Sequence, residues 1–208
     1  PYRGEVVARA PRSSPADLEH AMAAAVKAKS VMAAMPGYQR AALLRRVGAL
    51  LDQRVDHIAE IMSRETGKAI KDAKGEVARS QDTIQLSAEE AIRIAGEQVP
   101  LDGSAMGAGK LAFLLRVPVG VVAGITPFNA PFNLACHKVA PALAAGNAIV
   151  LKAPPQSPGV VHELAQMFVD AGAPPGSVNV LYGDIVGPAL VRHKDVDFVT
   201  FTGSSRVG

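Results

Sequence analysis

The stretch VPVGVVAGITPFNAPFNLACHKVAPALAAGNAIVLK, residues 117–152, decides the fold. Val119–Thr126 is an apolar, β-branched run of strand length. Pro131 has the fixed φ that suits the first turn of a helix, so PFNLACHKVAPALAA reads as one. Gly146-Asn147 turns the chain, and Ala148–Lys152 is a second strand. The alternation continues downstream. Ser157-Pro158 starts a helix that Gly172 closes, Val178–Tyr182 is a third strand, a helix follows from about Ile185, and Asp197–Thr202 is a fourth strand. Strand–helix–strand at this spacing predicts an α/β fold: a parallel sheet with helices on both faces. Ligands of such sheets bind beyond the carboxyl ends of the strands. Those ends are Thr126-Pro127-Phe128-Asn129, Lys152-Ala153-Pro154-Pro155, Gly183 and Gly203-Ser204, and the unusual chemistry of the chain falls at these four points.

The upstream half predicts a helical segment. Ser14-Pro15-Ala16-Asp17 has the cap, proline and acid of a helix start. Leu18, Met22, Ala25, Val26 and Met32 then follow helical spacing. After Pro36-Gly37, a second apolar face runs from Leu43 to Leu51 and a third from Val55 to Met62, closed by Gly67. A longer helix is expected from about Gly75 to Ala95, with Val77, Ile84, Ala88, Ala91 and Ile92 inward. Residues 98–117 change character. KLAFLLRV is strand-like without polar alternation, which points to burial on both faces or pairing with another chain. A strand-to-helix turn at FTGSSRVG, where the sequence stops, leads us to expect the front part of a longer polypeptide.

Composition narrows the function. The 208 residues are 49% hydrophobic with net charge +3 and a single cysteine. Positive charge is scattered and no basic stripe is interleaved with aromatics, so nucleic acid is not the expected partner. No apolar run approaches the roughly 20 residues of a membrane span, so no membrane is expected. A lone thiol fits a reducing, cytoplasmic setting. The five histidines lack zinc-site spacing, so no metal is expected. SAMGAGK and ETGKA both fail as phosphate-binding P-loops, and no G-x-G-x-x-G follows a strand.

The candidates each have a plain alternative. Cys136 reads better as a small buried helix residue than as a nucleophile. Asn129 at a strand end is ordinarily a turn-former. Beside a helix start it can instead point its carboxamide outward, next to the positive end of the helix dipole, to stabilise an oxyanion. Lys152 either snorkels to solvent or binds ribose hydroxyls or a phosphate. Gly183 and Gly187 are turn and packing glycines, or let the backbone approach a ligand.

Together these residues resemble the aldehyde dehydrogenase family. The resemblance covers nearly all the chain and rests on PYRGEVVARA, RETGKAIKDA, the opening stretch with ITPFN and KVAPALAAGNAIVLK, PPGSVNVLYG and DVDFVTFTGSSRVG. Phe128 stands where many relatives have Trp, which points towards lactaldehyde and glyceraldehyde-phosphate dehydrogenase-like members. The resemblance implies an atypical Rossmann-like cofactor domain. A small-molecule aldehyde would be oxidised to an acid with NAD or NADP, through a cysteine thiohemiacetal and thioester. Asn129 matches the oxyanion asparagine. Ile125, Thr126, Pro127 and Phe128 would line the cofactor site. Lys152 would bind the adenosine ribose, with Pro155 and Gln156 beside it. Gly183 and Gly187 would flank the adenine, and Phe201, Thr202, Gly203, Ser204 and Val207 would lie near the pyrophosphate. Pro155 replaces the glutamate of many NAD-preferring members, which leaves NADP open.

The resemblance also implies a division into residues 1–97 and 118–208 as a cofactor domain, with 98–117 extending towards a homodimer or homotetramer contact. The family's catalytic cysteine and glutamate base match nothing in these residues. Two rivals follow: a CoA-acylating relative, and a non-catalytic nucleotide-binding or assembly module.

Overall fold

The computed structural model describes residues 4–208. The first three residues of the PYRGEVVARA stretch lie outside them. Helix α1, Pro15–Ala34, starts at the predicted capping box: the Asp17 N–H donates to Ser14 Oγ at 3.3 Å and the Ser14 N–H to Asp17 Oδ2 at 2.8 Å. Leu18, Met22, Ala25, Ala28 and Met32 form its buried stripe. Val26, expected on that stripe, is 42% exposed. It lies one residue, or about 100°, beyond Ala25.

The two apolar faces after Pro36 belong to one helix, α2, Gly37–Thr66. The polar residues between them, Asp52, Gln53 and Arg54, are compatible with a helix, and no proline or glycine lies between Leu51 and Val55. Gly67 ends it at φ 76°, its N–H donating to the Ser63 carbonyl at 2.9 Å. Helix α3, Ile70–Arg93, begins ahead of the predicted Gly75. Gly75 is simply an exposed position inside it, at a modest cost in helix propensity. Ile92, expected inward, is 54% exposed, whereas Val77, Ile84, Ala88 and Ala91 are buried.

A short ribbon follows, in which β1, Glu97–Val99, pairs antiparallel with β2, Ala112–Leu114. Burial on both faces does not hold within this chain: Leu111, Phe113, Leu115 and Val117 are all exposed.

The main sheet is parallel throughout, in the order β5-β4-β3-β6, from β3 (Val121–Ile125), β4 (Ala148–Lys152), β5 (Val178–Leu181) and β6 (Phe198–Phe201). Helices α4 (Pro131–Ala144) and α5 (Pro158–Asp170) carry the chain outward from β3 to β5. They pack with α2 and α3 on one face, where Ile149 and Leu151 point. Helix α6 (Val186–Val191) shares the other face with α1, where Ala148 and Val150 point. β3 and β4 are buried along their whole length, as their unbroken apolar runs require. After β5 the chain returns to place β6 on the far side of β3. The direction of winding therefore reverses between β3 and β6, and ligand crevices open at such a switch.

Candidate nucleotide and oxyanion site

The strand register puts Leu181, Lys152, Ile125 and Phe201 in one row across the sheet. Three inter-strand gaps make that row about 14 Å long. The next residues keep the alignment: the Ala153 N–H donates to the Leu181 carbonyl at 2.9 Å, and the Thr202 N–H to the Ile125 carbonyl at 3.1 Å. All four candidate segments thus leave the sheet from one edge. Ile125 packs in the α1/α6 face. Lys152, two residues beyond Val150, projects to the same side.

Lys152 is 8% exposed and its Nζ lies 3.0 Å from Asp184 Oδ1, on a side chain that is itself open to solvent. The ammonium therefore does not snorkel freely. Gly183 has φ 90°, a left-handed conformation that favours glycine. At Gly187 a β-carbon would meet no atom within 4 Å. The chain's own packing does not require glycine there, and the space is open. At Gly203 a β-carbon would lie 2.6 Å from the Phe201 ring. Ser204 accepts N–H bonds from Val207 at 3.0 Å and Gly208 at 3.1 Å, closing a turn. Ser204 and Val207 are exposed, as are Pro155 and Gln156 on the turn after β4. Pro127 is half-buried and Phe128 is exposed. Thr126 is buried, with its hydroxyl donating to the Lys152 carbonyl at 3.1 Å.

Asn129 is exposed and does not cap α4; Ala130 holds the N-cap position, with no side-chain hydrogen bond there. The cap comes from another layer. Glu76, on α3, is 2% exposed and its Oε1 accepts the N–H groups of Phe132 at 3.0 Å and Asn133 at 3.2 Å. Its other oxygen holds the Lys68 ammonium. This corrects the sequence expectation in one respect. A buried carboxylate offsets the positive end of α4, so an oxyanion here would depend on the Asn129 carboxamide. Glu65, on α2, does the same for α5, accepting from Gly159 at 2.8 Å and Val160 at 3.1 Å. Burial raises its pKa, against the opposing pull of those two N–H donors.

Cys136 is fully buried, and burial pushes its thiol far above the ordinary range. It is the core residue that its sequence context suggested. The same helix carries a residue that sequence reasoning missed. Lys138 is 5% exposed and its Nζ donates to Thr202 Oγ1 at 2.8 Å, with burial lowering its pKa. The available signal was a lone charge set in the apolar run of α4. Asp184 was also missed, although an acid directly after Gly183 at a strand end was visible. Glu76 and Lys68 gave less warning, because only the fold brings them to Asn129.

The donor set at the row fits a dinucleotide. An ammonium stands at the end of β4, open backbone surrounds Gly187, and a glycine turn follows β6. The first amides of α4 and α5 are occupied by glutamates, and α6 is only six residues long. The turn at Gly203-Ser204 has no such glutamate on it, and its side chains are exposed. A groove of about 270 Å³ between α4 and β6 is lined by Val119, Pro141, Asn147 and Phe198 near the strands' amino ends and extends to Lys138 and Thr200. Among the described residues, no group of three or more His, Cys, Asp or Glu is placed to hold a metal. Nor is any helix long and apolar enough to cross a membrane.

A doubly wound parallel sheet with its candidate residues gathered at the switch point places the chain in the class of open α/β folds, whose ligands bind at that crevice. Within that class, the chain belongs to the aldehyde dehydrogenase family, whose profile matches residues 1–208. It is 48% identical over 173 residues to a 3-sulfolactaldehyde dehydrogenase of Priestia aryabhattai, covering 82% of this chain and 36% of that protein. Among solved structures it is similar to aldehyde dehydrogenase 21 of Physcomitrella patens in complex with the reaction product succinate. There the TM-score is 0.95 and the identity 38%, over 99% of this chain and 43% of that one. It is also similar to an NADP-dependent glyceraldehyde-3-phosphate dehydrogenase of Bacillus halodurans complexed with NADP. That match has a TM-score of 0.92 and 37% identity, over 95% of this chain and 42% of that one. The chain thus spans well under half the length of these relatives.

Proposed function

We propose that this chain is the cofactor-binding part of an NAD(P)-dependent aldehyde dehydrogenase that oxidises a small aldehyde to its acid through a cysteine thiohemiacetal and thioester. The observation that carries this reading is the row of strand ends, which gathers Lys152, Gly203-Ser204 and the loop bearing Asn129 at one edge. In this reading, residues 1–97 and 118–208 form the cofactor domain. Lys152 holds the adenosine ribose, and Ile125, Thr126, Pro127 and Phe128 shape the wall on the reactive side. Pro155, Gln156, Gly183 and Gly187 border the adenosine half. Phe201, Thr202, Gly203, Ser204 and Val207 border the pyrophosphate. The nicotinamide cofactor, when bound, supplies the hydride acceptor.

Asn129 donates its amide N–H to the oxygen that becomes negative as the nucleophile adds to the aldehyde. Cys136 is buried in α4 and supplies no nucleophile, so in this reading the attacking thiolate comes from outside these residues, as does the glutamate base that the family resemblance implies. The exposed apolar ribbon at 98–117 fits a contact within a homodimer or homotetramer. A lone buried thiol accords with the cytoplasm.

The test is to measure NADH and NADPH formation by the intact protein with a panel of short aldehydes, and to identify the product. Acid as the product supports the hydrolytic reaction, and acyl-CoA formed only with added CoA assigns the acylating variant. No turnover with any aldehyde, cofactor or acyl acceptor overturns the reading.

A further inference from the structure

Asn129 sits on a loop gripped from behind by an ion pair between the half-buried Lys68 and the buried Glu76. Lys68, on the turn between α2 and α3, is bonded to Glu76, and its ammonium also donates to the Asn129 backbone carbonyl at 3.0 Å. Glu76 holds the other end of the segment through the Phe132 and Asn133 N–H groups at 3.0 and 3.2 Å. Asn133 is fixed in turn, its Oδ1 accepting from the buried Ser80 hydroxyl at 3.2 Å. The peptide bearing Asn129 is therefore clamped on both sides by one ammonium–carboxylate pair. Capping α4 alone would need only the carboxylate. The second bond of Lys68 goes outside the helix, to the residue proposed as the oxyanion donor.

We propose that Lys68 and Glu76 are positioning residues for Asn129. The pair fixes the backbone that carries the carboxamide, so that its N–H is aimed before substrate arrives. A donor already in place needs no reorganisation as charge develops, and a misplacement of about 1 Å can cost about 100-fold in rate. The inference rests on the oxyanion role proposed for Asn129.

A double-mutant cycle on the full-length dehydrogenase tests it. The readouts are the single-turnover rate of NADH or NADPH formation, the cofactor Kd by fluorescence, and the melting temperature. Lys68→Met is expected to slow the single-turnover step by about 10- to 100-fold, with the cofactor Kd unchanged and Lys68→Arg recovering most of the loss. In an Asn129→Ala background, Lys68→Met is expected to have no further effect, because residues acting through one another are not additive. Should Lys68→Met not fold, Glu76→Gln takes its place in the cycle, since it keeps an acceptor for both N–H groups while removing the ion pair. A Lys68 or Glu76 variant with an unchanged single-turnover rate overturns the inference. So does a defect that multiplies with that of Asn129→Ala. If Asn129→Ala itself leaves the rate unchanged, the oxyanion role falls, and the positioning role with it.

Discussion

Glu65 offers the sharpest test of how the layers are joined. It reaches from α2 to accept the Gly159 and Val160 N–H groups at the start of α5, at 2.8 and 3.1 Å. Glu65→Ala removes both acceptors, and Val160 is buried. Losing a helix cap costs about 1 kcal/mol, and a buried N–H left without a partner adds about 1 kcal/mol or more. The expected loss is therefore about 2 kcal/mol, which in a chain of this size lowers the melting temperature by about 4–8 °C. Glu65→Gln keeps an acceptor and should lose less than half of that.

The pH dependence separates the two variants further. Burial raises the pKa of Glu65 in the folded chain. Between the ordinary glutamate range and that raised value, the native state binds more protons than the unfolded state, so stability falls as pH rises through this window. Glu65→Gln should remove that part of the slope. The assay is thermal or urea unfolding of both variants across mildly acidic pH, at fixed protein concentration. A shift below about 1 °C for Glu65→Ala, or a loss for Glu65→Gln as large as that for Glu65→Ala, would refute the capping argument.

Three further outcomes are expected. Asn129→Ala in the full-length enzyme should slow the chemical step by about 10²–10³-fold, and an unchanged single-turnover rate would return the residue to its turn-forming role. Asp184→Asn should release Lys152 and raise affinity for NADP relative to NAD by about tenfold, the scale of one like-charge repulsion at a solvated site; titration of both cofactors checks this, and an unchanged ratio rejects it. Asp197 lies 2.8 Å from Lys29 Nζ and accepts the Val121 N–H at 2.8 Å, bonds that hold its pKa below the usual aspartate value. Its stabilising effect is present above the unfolded-state pKa and is lost as pH falls through the depressed one. Asp197→Asn should therefore flatten the acid limb of the stability profile, and an unaltered limb counts against the pairing.

The parallel sheet could be read from the sequence because each of its strands has a local signature. Ala148–Lys152 was placed with both ends correct, since Gly146-Asn147 turns the chain before it and Pro154 follows it. The α1 capping box was equally local. Val26 and Ile92 were misplaced for a different reason. Spacing alone leaves the width of a helix's buried stripe undetermined until a neighbour is known. The site divides in the same way. Lys152, Gly183 and Gly203 are conspicuous at strand ends. Lys68 lies far along the chain from Asn129, and the bond between them exists only once α3 packs over α4. Lys138 was hidden by the apolar helix around it.

The two glutamate caps carry a lesson for protein engineering. Glu65 and Glu76 belong to the helical layer, yet each completes a helix of the sheet layer. A chimera that grafts residues 118–208 onto another relative's helical half would inherit α4 and α5 without the carboxylates that start them. Such a graft should be less stable, by about 2 kcal/mol for each missing cap, unless the recipient offers acids at both places. Recombination breakpoints are therefore better set outside the whole 37–170 span than within the ribbon that interrupts it.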